Sequence, residues 1–197
     1  IYIPEMDEHY HSTNGAMQEA LHIYIAKAYQ HSAVQNPTVF EVGFGTGLNA
    51  LLTALEAERT QRKTTFVSIE KYPLSQESYN SLNYPDLLGE EAKPLFTAMH
   101  SCKWNELCEI SEYFTLKKLH ADLTELPDIP NFDVVYFDAF APNKQASMWT
   151  EEILAYVFAH TNPGGILTTY CAKGDVRRML QSVGFSVERT DGPDRKS

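Results

Sequence analysis

Three glycines at alternate positions, Gly43, Gly45 and Gly47, constrain this chain more than any other feature, because of what stands on either side of them. The run before them, Thr38-Val39-Phe40-Glu41-Val42, is apolar and β-prone. After them Leu48, Leu51, Leu52 and Leu55 recur at helical spacing. The local order is strand, glycine turn, helix. Glycine in such a turn admits positive φ and lets a ligand come close to the backbone. The first N–H groups of the following helix have no partner within it. The junction therefore predicts a nucleotide-type site over Gly43, Phe44, Gly45, Thr46, Gly47 and Asn49.

The rest of the chain repeats the alternation. Thr64 to Ile69 reads as a second strand ending on Glu70, and 114–120 as a third, closed by Ala121-Asp122-Leu123. A fourth, 132–137, is largely apolar, as a buried parallel strand is, and delivers Asp138-Ala139-Phe140-Ala141-Pro142. A turn at 162–165, a fifth strand over 166–171 and a sixth over 185–189 follow. Helices are predicted over 15–31, 48–59, 74–82, 149–160 and 174–183. Strands alternating with helices predict an α/β fold, a mostly parallel doubly wound sheet with flanking helices. The length of 197 residues fits one domain over 1–197. Residues 1–35 form an N-terminal extension and a helix with Asn14 as its N-cap; its apolar stripe is Met17, Leu21, Tyr24, Ile25 and Ala28, with Glu19 off the stripe. The segment 83–111, with Pro85, Pro94 and scattered apolar residues, reads as a small helical insertion of short helices.

Net charge of −10 argues against general affinity for nucleic acid, which requires phosphate neutralisation. The positive residues Lys173, Arg177, Arg178, Arg189, Arg195 and Lys196 nevertheless crowd the last quarter and offer a local basic face. Three cysteines, Cys102, Cys108 and Cys171, are read as unpaired packing residues and fit a reducing cytoplasm. His9 and His11 lack partners at metal-ligand spacing, so no metal is expected. No apolar run approaches the roughly 18 residues of a membrane span.

In a doubly wound sheet ligands bind at the carboxyl ends of the strands. Glu70 at the end of the second strand is placed to accept ribose hydroxyls, beside Lys71. Asp122 falls where the amino group of an adenine could be bonded. The first and fourth strands lie side by side across the switch point, which sets Asp138 opposite the glycine loop. A carboxylate there can orient an attacking amine and take up its proton. Phe140 and Pro142 then shape a flat apolar pocket for a base or ring.

The spacing is G-x-G-x-G, not the G-x-G-x-x-G of dinucleotide sites, and Glu41 stands two residues ahead of it. That pattern resembles S-adenosylmethionine-dependent methyltransferases, whose cationic cofactor suits an acidic rim. Glu41 to Asn49, Asp138 to Pro142 with Met148-Trp149, and Pro163-Gly164-Gly165 are together similar to the methyltransferase domain of tRNA 5-methylaminomethyl-2-thiouridine biosynthesis enzymes, in the stand-alone form without a flavin oxidase domain. The resemblance extends to Tyr10-His11-Ser12 and to Thr168-Thr169-Tyr170. It implies a Rossmann-like class I fold and transfer of a methyl group to the exocyclic amine of 5-aminomethyluridine at the tRNA wobble position. It also implies that Asp138 is catalytic and that Glu41 and Glu70 hold the cofactor. Phe140, Pro142, Lys144, Trp149, Tyr170, Lys173, Arg177 and Arg178 are expected on the substrate side. Expected partners are tRNA and the enzymes that make the aminomethyl precursor. The glycine-rich, basic turn and last strand that usually close the family are not found before Ser197. An aminopropyltransferase or a small-molecule N-methyltransferase of the same fold is the alternative; a polyamine site needs several acids, whereas Asp138 is followed by Ala-Phe-Ala-Pro.

Overall fold

A computed structural model of the protein describes residues 2–3, 8–9 and 13–191. Two short strands, β1 (Tyr2–Ile3) and β2 (Glu8–His9), pair antiparallel. Helix α1 (Thr13–Ala20) begins ahead of Asn14, which is therefore within the helix and not its N-cap, and runs on as a π-helix over Leu21–Tyr29. The predicted helix over 15–31 is thus one continuous element whose second half is wider than an α-helix. Arg62 pins its end. The guanidinium donates to the carbonyls of Tyr29, Ser32 and Val34 and lies 4.6 Å from the centre of the Tyr29 ring.

The main sheet contains β3 (Thr38–Val42), β4 (Thr64–Glu70), β5 (Leu107–Glu109), β6 (Phe114–His120), β7 (Phe132–Phe137) and β8 (Thr161–Thr168), in the order β5-β6-β4-β3-β7-β8. All pairs are parallel except β5–β6. The chain steps outward from β3 to β4 and β6, then returns to the other side of β3 as β7. The switch point is therefore the β3–β7 crevice. Between them run α2 (Leu48–Thr60), α3 (Gln76–Asn80), α4 (Tyr84–Leu88), α5 (Ala92–Ser101), α6 (Glu151–His160) and α7 (Gly174–Val183).

Each face of the sheet has its own core. Val39, Phe66, Leu116, Val134 and Tyr136 pack under α1, the π-helix, α2 and α5. Phe40, Val67, Phe132, Val135 and Phe137 pack under α6 and α7. Helix α2 buries Leu48, Ala50, Leu51, Leu52, Ala54 and Ala57, and the small alanines let it lie close to the strands. Helix α6 starts where Thr150 accepts from the Ile153 N–H, with Glu151 and Glu152 in the first turn, where acids complement the helix dipole.

Four expectations are corrected. The insertion over 83–111 contains helices α4 and α5 but also β5, which pairs antiparallel on β6 at the sheet edge. The predicted turn over 162–165 lies inside β8: Phe132 pairs with Thr161 and Val134 with Ile166, so Asn162–Gly165 bulge out and the strand ends at Thr168, short of Cys171. Residues 185–189 form no strand; Phe185 and Val187 pack inward, the Phe185 N–H donating to the Leu180 carbonyl and its ring edge-on to Phe158 at 4.9 Å. Cys102 and Cys108 are not free packing residues but a disulfide, Cα atoms 6.1 Å apart, which ties the end of α5 to β5. Cys171 is free. His11, Arg195 and Lys196 lie outside the described residues. Among the described residues no helix is long and apolar enough to cross a membrane.

Candidate active site

The carboxyl ends of β3, β4 and β7 open into one cavity of about 430 Å³. Its floor is the glycine loop. Gly43 at φ +90° and Gly47 at φ +76° hold backbone conformations that side chains disfavour. Gly43 also faces the Asp138 carbonyl across the crevice, and a Cβ added at Gly47 would come within 3.0 Å of the Phe44 ring. The Gly47 N–H donates to the Phe44 carbonyl and the Leu51 N–H to that of Gly47, so the loop passes directly into α2. His100 of α5 braces it from behind through Nε2, 3.2 Å from the Thr46 carbonyl. A carbonyl only accepts, so Nε2 carries the hydrogen. Burial, with Lys118 beside it, lowers the imidazole to about 4 and keeps it neutral.

Glu70 ends β4 on the cavity wall. Its two oxygens accept from the Gly45 N–H at 3.1 Å and the Tyr72 N–H at 2.8 Å. Burial raises its carboxyl, and those backbone bonds partly offset the rise. Asp122 also lines the cavity, but Lys71 pairs with it at 2.6 Å, and Thr124 donates to its other oxygen through N–H and hydroxyl. Burial acts to raise Asp122; the bonds from Lys71 and Thr124 outweigh it and leave the carboxyl below its usual range. The Lys71 charge is thus turned to Asp122.

Asp138 follows β7 and faces the loop. Asn49 Nδ2 donates to one carboxylate oxygen at 2.8 Å, and the Tyr24 hydroxyl to the other at 2.6 Å. Surrounding protein screens Asp138 from bulk water while leaving it surface in the cavity. Burial therefore raises its pKa to about 6, against the pull of Tyr24 and Asn49, and with Glu19 adding to the rise. Glu41 is placed differently from the acidic rim that its spacing predicts. It is 1% exposed, lies behind the loop without lining the cavity, and accepts from the Ser68 hydroxyl at 2.6 Å. Burial holds its carboxyl well above the usual range, and its Oε1 has no partner. Glu41 supports the loop from below through its bond with Ser68.

The predicted substrate-side residues divide. Phe140 and Tyr170 line the cavity, the Tyr170 hydroxyl donating to the Ala139 carbonyl. Trp149 is buried beneath the wall, its indole N–H donating to the Phe140 carbonyl at 2.7 Å. Pro142 and exposed Lys144 lie on the same loop but outside the cavity wall. Lys173, Arg177 and Arg178 are exposed on or just before α7, four to eight residues past the Thr169–Tyr170 rim, and Arg178 pairs with Asp175. Five polar wall residues were not singled out for the site by sequence: Tyr24, Glu19, Tyr72, Tyr84 and Gln145. Gln145 accepts from the Phe140 N–H. Tyr24 sits in the apolar helical stripe, where its phenol tip gives no separate signal.

A switch-point crevice floored by a glycine loop, with an acid ending the second parallel strand, defines a Rossmann-like class I methyltransferase. A family model for S-adenosyl-L-methionine-dependent methyltransferase matches residues 94–197, and the chain belongs to that family. It is similar to the tRNA 5-methylaminomethyl-2-thiouridine biosynthesis bifunctional protein MnmC of Cupriavidus necator, 33% identical over 97% of this chain and 31% of that protein. The MnmC of Pseudomonas fluorescens is 32% identical over 96% of this chain and 31% of that protein. The chain thus spans about a third of the length of these curated relatives. Among solved structures, MNMC2 from Aquifex aeolicus superposes with a TM-score of 0.80 at 24% identity, over 99% of this chain and 63% of that one, and shares the fold.

The cofactor is S-adenosylmethionine, and the cavity fits it: the volume lies within the range of small-molecule and cofactor sites. The loop lines the cavity with Gly43 and Gly45, both at positive φ, and Glu19, Glu70, Asp122 and Asp138 make the wall acidic, as a cationic cofactor requires. Among the described residues no three His, Cys, Asp or Glu side chains gather as a metal site.

Proposed function

We propose that this protein transfers a methyl group from S-adenosylmethionine to the exocyclic amine of 5-aminomethyluridine in tRNA, giving 5-methylaminomethyluridine. Asp138 carries the reading: it is a carboxylate held by two donors at the edge of the glycine loop, next to the flat wall of Phe140 and Tyr170. The relatives' own name describes a product with a methylated amine on the uridine 5-methylene group, which supports this acceptor.

The bound cofactor supplies an electrophilic methyl, which the amine nitrogen takes with its lone pair as the carbon–sulfur bond breaks. The chain does the rest. Glu70 would hold the ribose hydroxyls and Asp122 the adenine amino group. Phe140 and Tyr170 would cover the uracil and exclude water. Asp138, ionised above about pH 6, accepts an N–H of the neutral amine, points its lone pair at the methyl and takes the proton released by the product ammonium. The enzymes that supply the substrate must install an aminomethyl group on uracil. We place the reaction in the cytoplasm.

Glu70→Ala should weaken cofactor binding roughly tenfold or more, since hydrogen bonds to a charged acceptor contribute about 1.5–3 kcal/mol each. Calorimetric titration with S-adenosylmethionine reads it, and unchanged affinity removes Glu70 from the cofactor site. The tRNA is met by Lys144, Lys173, Arg177 and Arg178, all exposed. Binding of tRNA should weaken as salt rises through counterion release. Changing Arg177 and Arg178 together to Glu should remove most of the tRNA affinity and leave cofactor binding alone, as read by filter binding at two salt concentrations. Survival of tRNA affinity would make this face a solvated surface and favour a small-molecule amine.

A further inference from the structure

Asp138 has two oxygens and needs both. One must meet the substrate amine; the other has to be held so that the first points into the cavity. Asn49 belongs to the glycine-loop helix, and its bond to Asp138 follows from the crevice itself. The second donor comes from elsewhere. Tyr24 lies in the π-helix Leu21–Tyr29, in the core opposite that of α7, and reaches Asp138 Oδ1 at 2.6 Å. The residue is 3% exposed and borders the cavity.

We propose that Tyr24 is a positioning residue for the reaction: its buried hydroxyl, donated to Asp138 Oδ1, fixes the carboxylate's orientation and favours its ionised form. The inference rests on Asp138 acting as the acceptor of the amine proton, but it concerns a bond within the protein that exists before any tRNA binds.

Three observations support it. Tyr24 cannot easily move away, because its ring packs on Tyr136 at 5.0 Å between centroids, and the Tyr136 hydroxyl is held in turn by Thr53. It can only donate here: burial, and next the charge of Asp138, push the phenol well above its ordinary value, so its proton stays on. The wide π-helical turns are also where such a local departure from α-geometry frequently serves a site. The groups that act on Asp138 or on Tyr24 come from several elements. Glu19 of α1 and Glu41 at the middle of β3 are carboxyls, Tyr170 after β8 is a phenol, and Asn49 of α2 is uncharged. Glu19 opposes ionisation; the hydrogen bonds of Tyr24 and Asn49 favour it.

The test is the titration of Asp138 itself, followed by carbon-13 NMR of its carboxyl in the substrate-free protein and assigned with Asp138→Asn. Tyr24→Phe removes one oxygen and keeps the ring on Tyr136. It should raise the Asp138 midpoint by about one pH unit or more, the worth of a hydrogen bond to a charged group. The acidic limb of the single-turnover rate should move up by the same amount, with cofactor affinity unchanged. Replacing Tyr24 with 3-fluorotyrosine, a stronger donor of the same shape, should move the midpoint down, which gives a second reading should the phenylalanine variant fold poorly. A midpoint that stays put in both variants overturns the inference and leaves Tyr24 a core residue. A midpoint that moves in a protein that never methylates tRNA upholds the inference and defeats the substrate assignment instead, so the two failures are distinct.

Discussion

Asp138→Ala is expected to lower the single-turnover rate of methyl transfer by about 10²–10⁴-fold, the usual contribution of a positioned general base. The loss should fall on the chemical step. The glycine loop and Glu70 do not depend on Asp138 for their bonds, since Gly45 and Tyr72 hold Glu70 and Ile69 receives the Gly43 N–H. Cofactor affinity should therefore persist. The parental rate should itself rise with pH through about 6, as Asp138 ionises, and the alanine variant should lose that limb. Asp138→Asn separates two roles: the amide keeps an oxygen to accept an N–H but has no charge to take a proton. A rate retained in the asparagine variant means that orientation dominates. If Asp138→Ala methylates 5-aminomethyluridine in tRNA at close to the parental rate, Asp138 is a structural cap and bulk water deprotonates the amine.

The second large effect is on stability and has the opposite sign. Burial raises Asp138 to about 6, above the value of about 3.9 of an unfolded aspartate. The native protein then holds this proton more tightly than the unfolded chain. Its contribution to stability is greatest below about pH 4, falls as pH rises through about 6, and stays low above that. The two-unit difference corresponds to roughly 3 kcal/mol at neutral pH. Asp138→Asn escapes that cost, because the amide is neutral at every pH. The amide also loses one acceptor for Tyr24 or Asn49 at either pH, so the expected signal is the change with pH: relative to the parent, the variant's melting temperature should be about 6–12 °C higher at pH 8 than near pH 4 for a domain of this size. Scanning calorimetry at the two pH values reads the effect. A gap of equal size at both would show that ionisation of Asp138 costs the fold nothing. Together the two results describe a carboxylate kept in an unfavourable place for its chemistry.

Much of this was legible in the amino-acid order. Strands β3, β4 and β7 stand as largely apolar runs because they are covered on both faces, and a run of that kind has little else to become; β6 shows instead an alternating pattern. The glycine loop declared itself through its spacing, and Glu70, Asp122 and Asp138 through their place at strand ends. What was not legible depends on neighbours far away in sequence. Tyr24 obeys the helical stripe, so its ring reads as core; that its hydroxyl meets Asp138 is a matter of how a helix packs on a crevice 114 residues downstream. Strand β5 is three residues long with both ends exposed, and only its pairing on β6 makes it a strand. Phe185 and Val187 have the alternation of a strand without a ladder to join. Glu41 reads as a rim acid from its distance to the glycines, yet the strand turns it under the loop to Ser68. Cys102 and Cys108 meet because α5 ends where β5 begins.

The walls of the cavity are drawn from Ala16 through Tyr170. No contiguous piece of the chain contains enough of them to hold a ligand, and the site exists only when the sheet is closed and both cores are packed. Occupancy and folding are therefore linked by mass action. A ligand at a hundred times its Kd adds about 2.7 kcal/mol to the native state as a whole, and that increment reaches β5 at the far edge as fully as the glycine loop. The supply of methyl donor in the cell then governs how long the polypeptide survives proteolysis, as well as how fast it works.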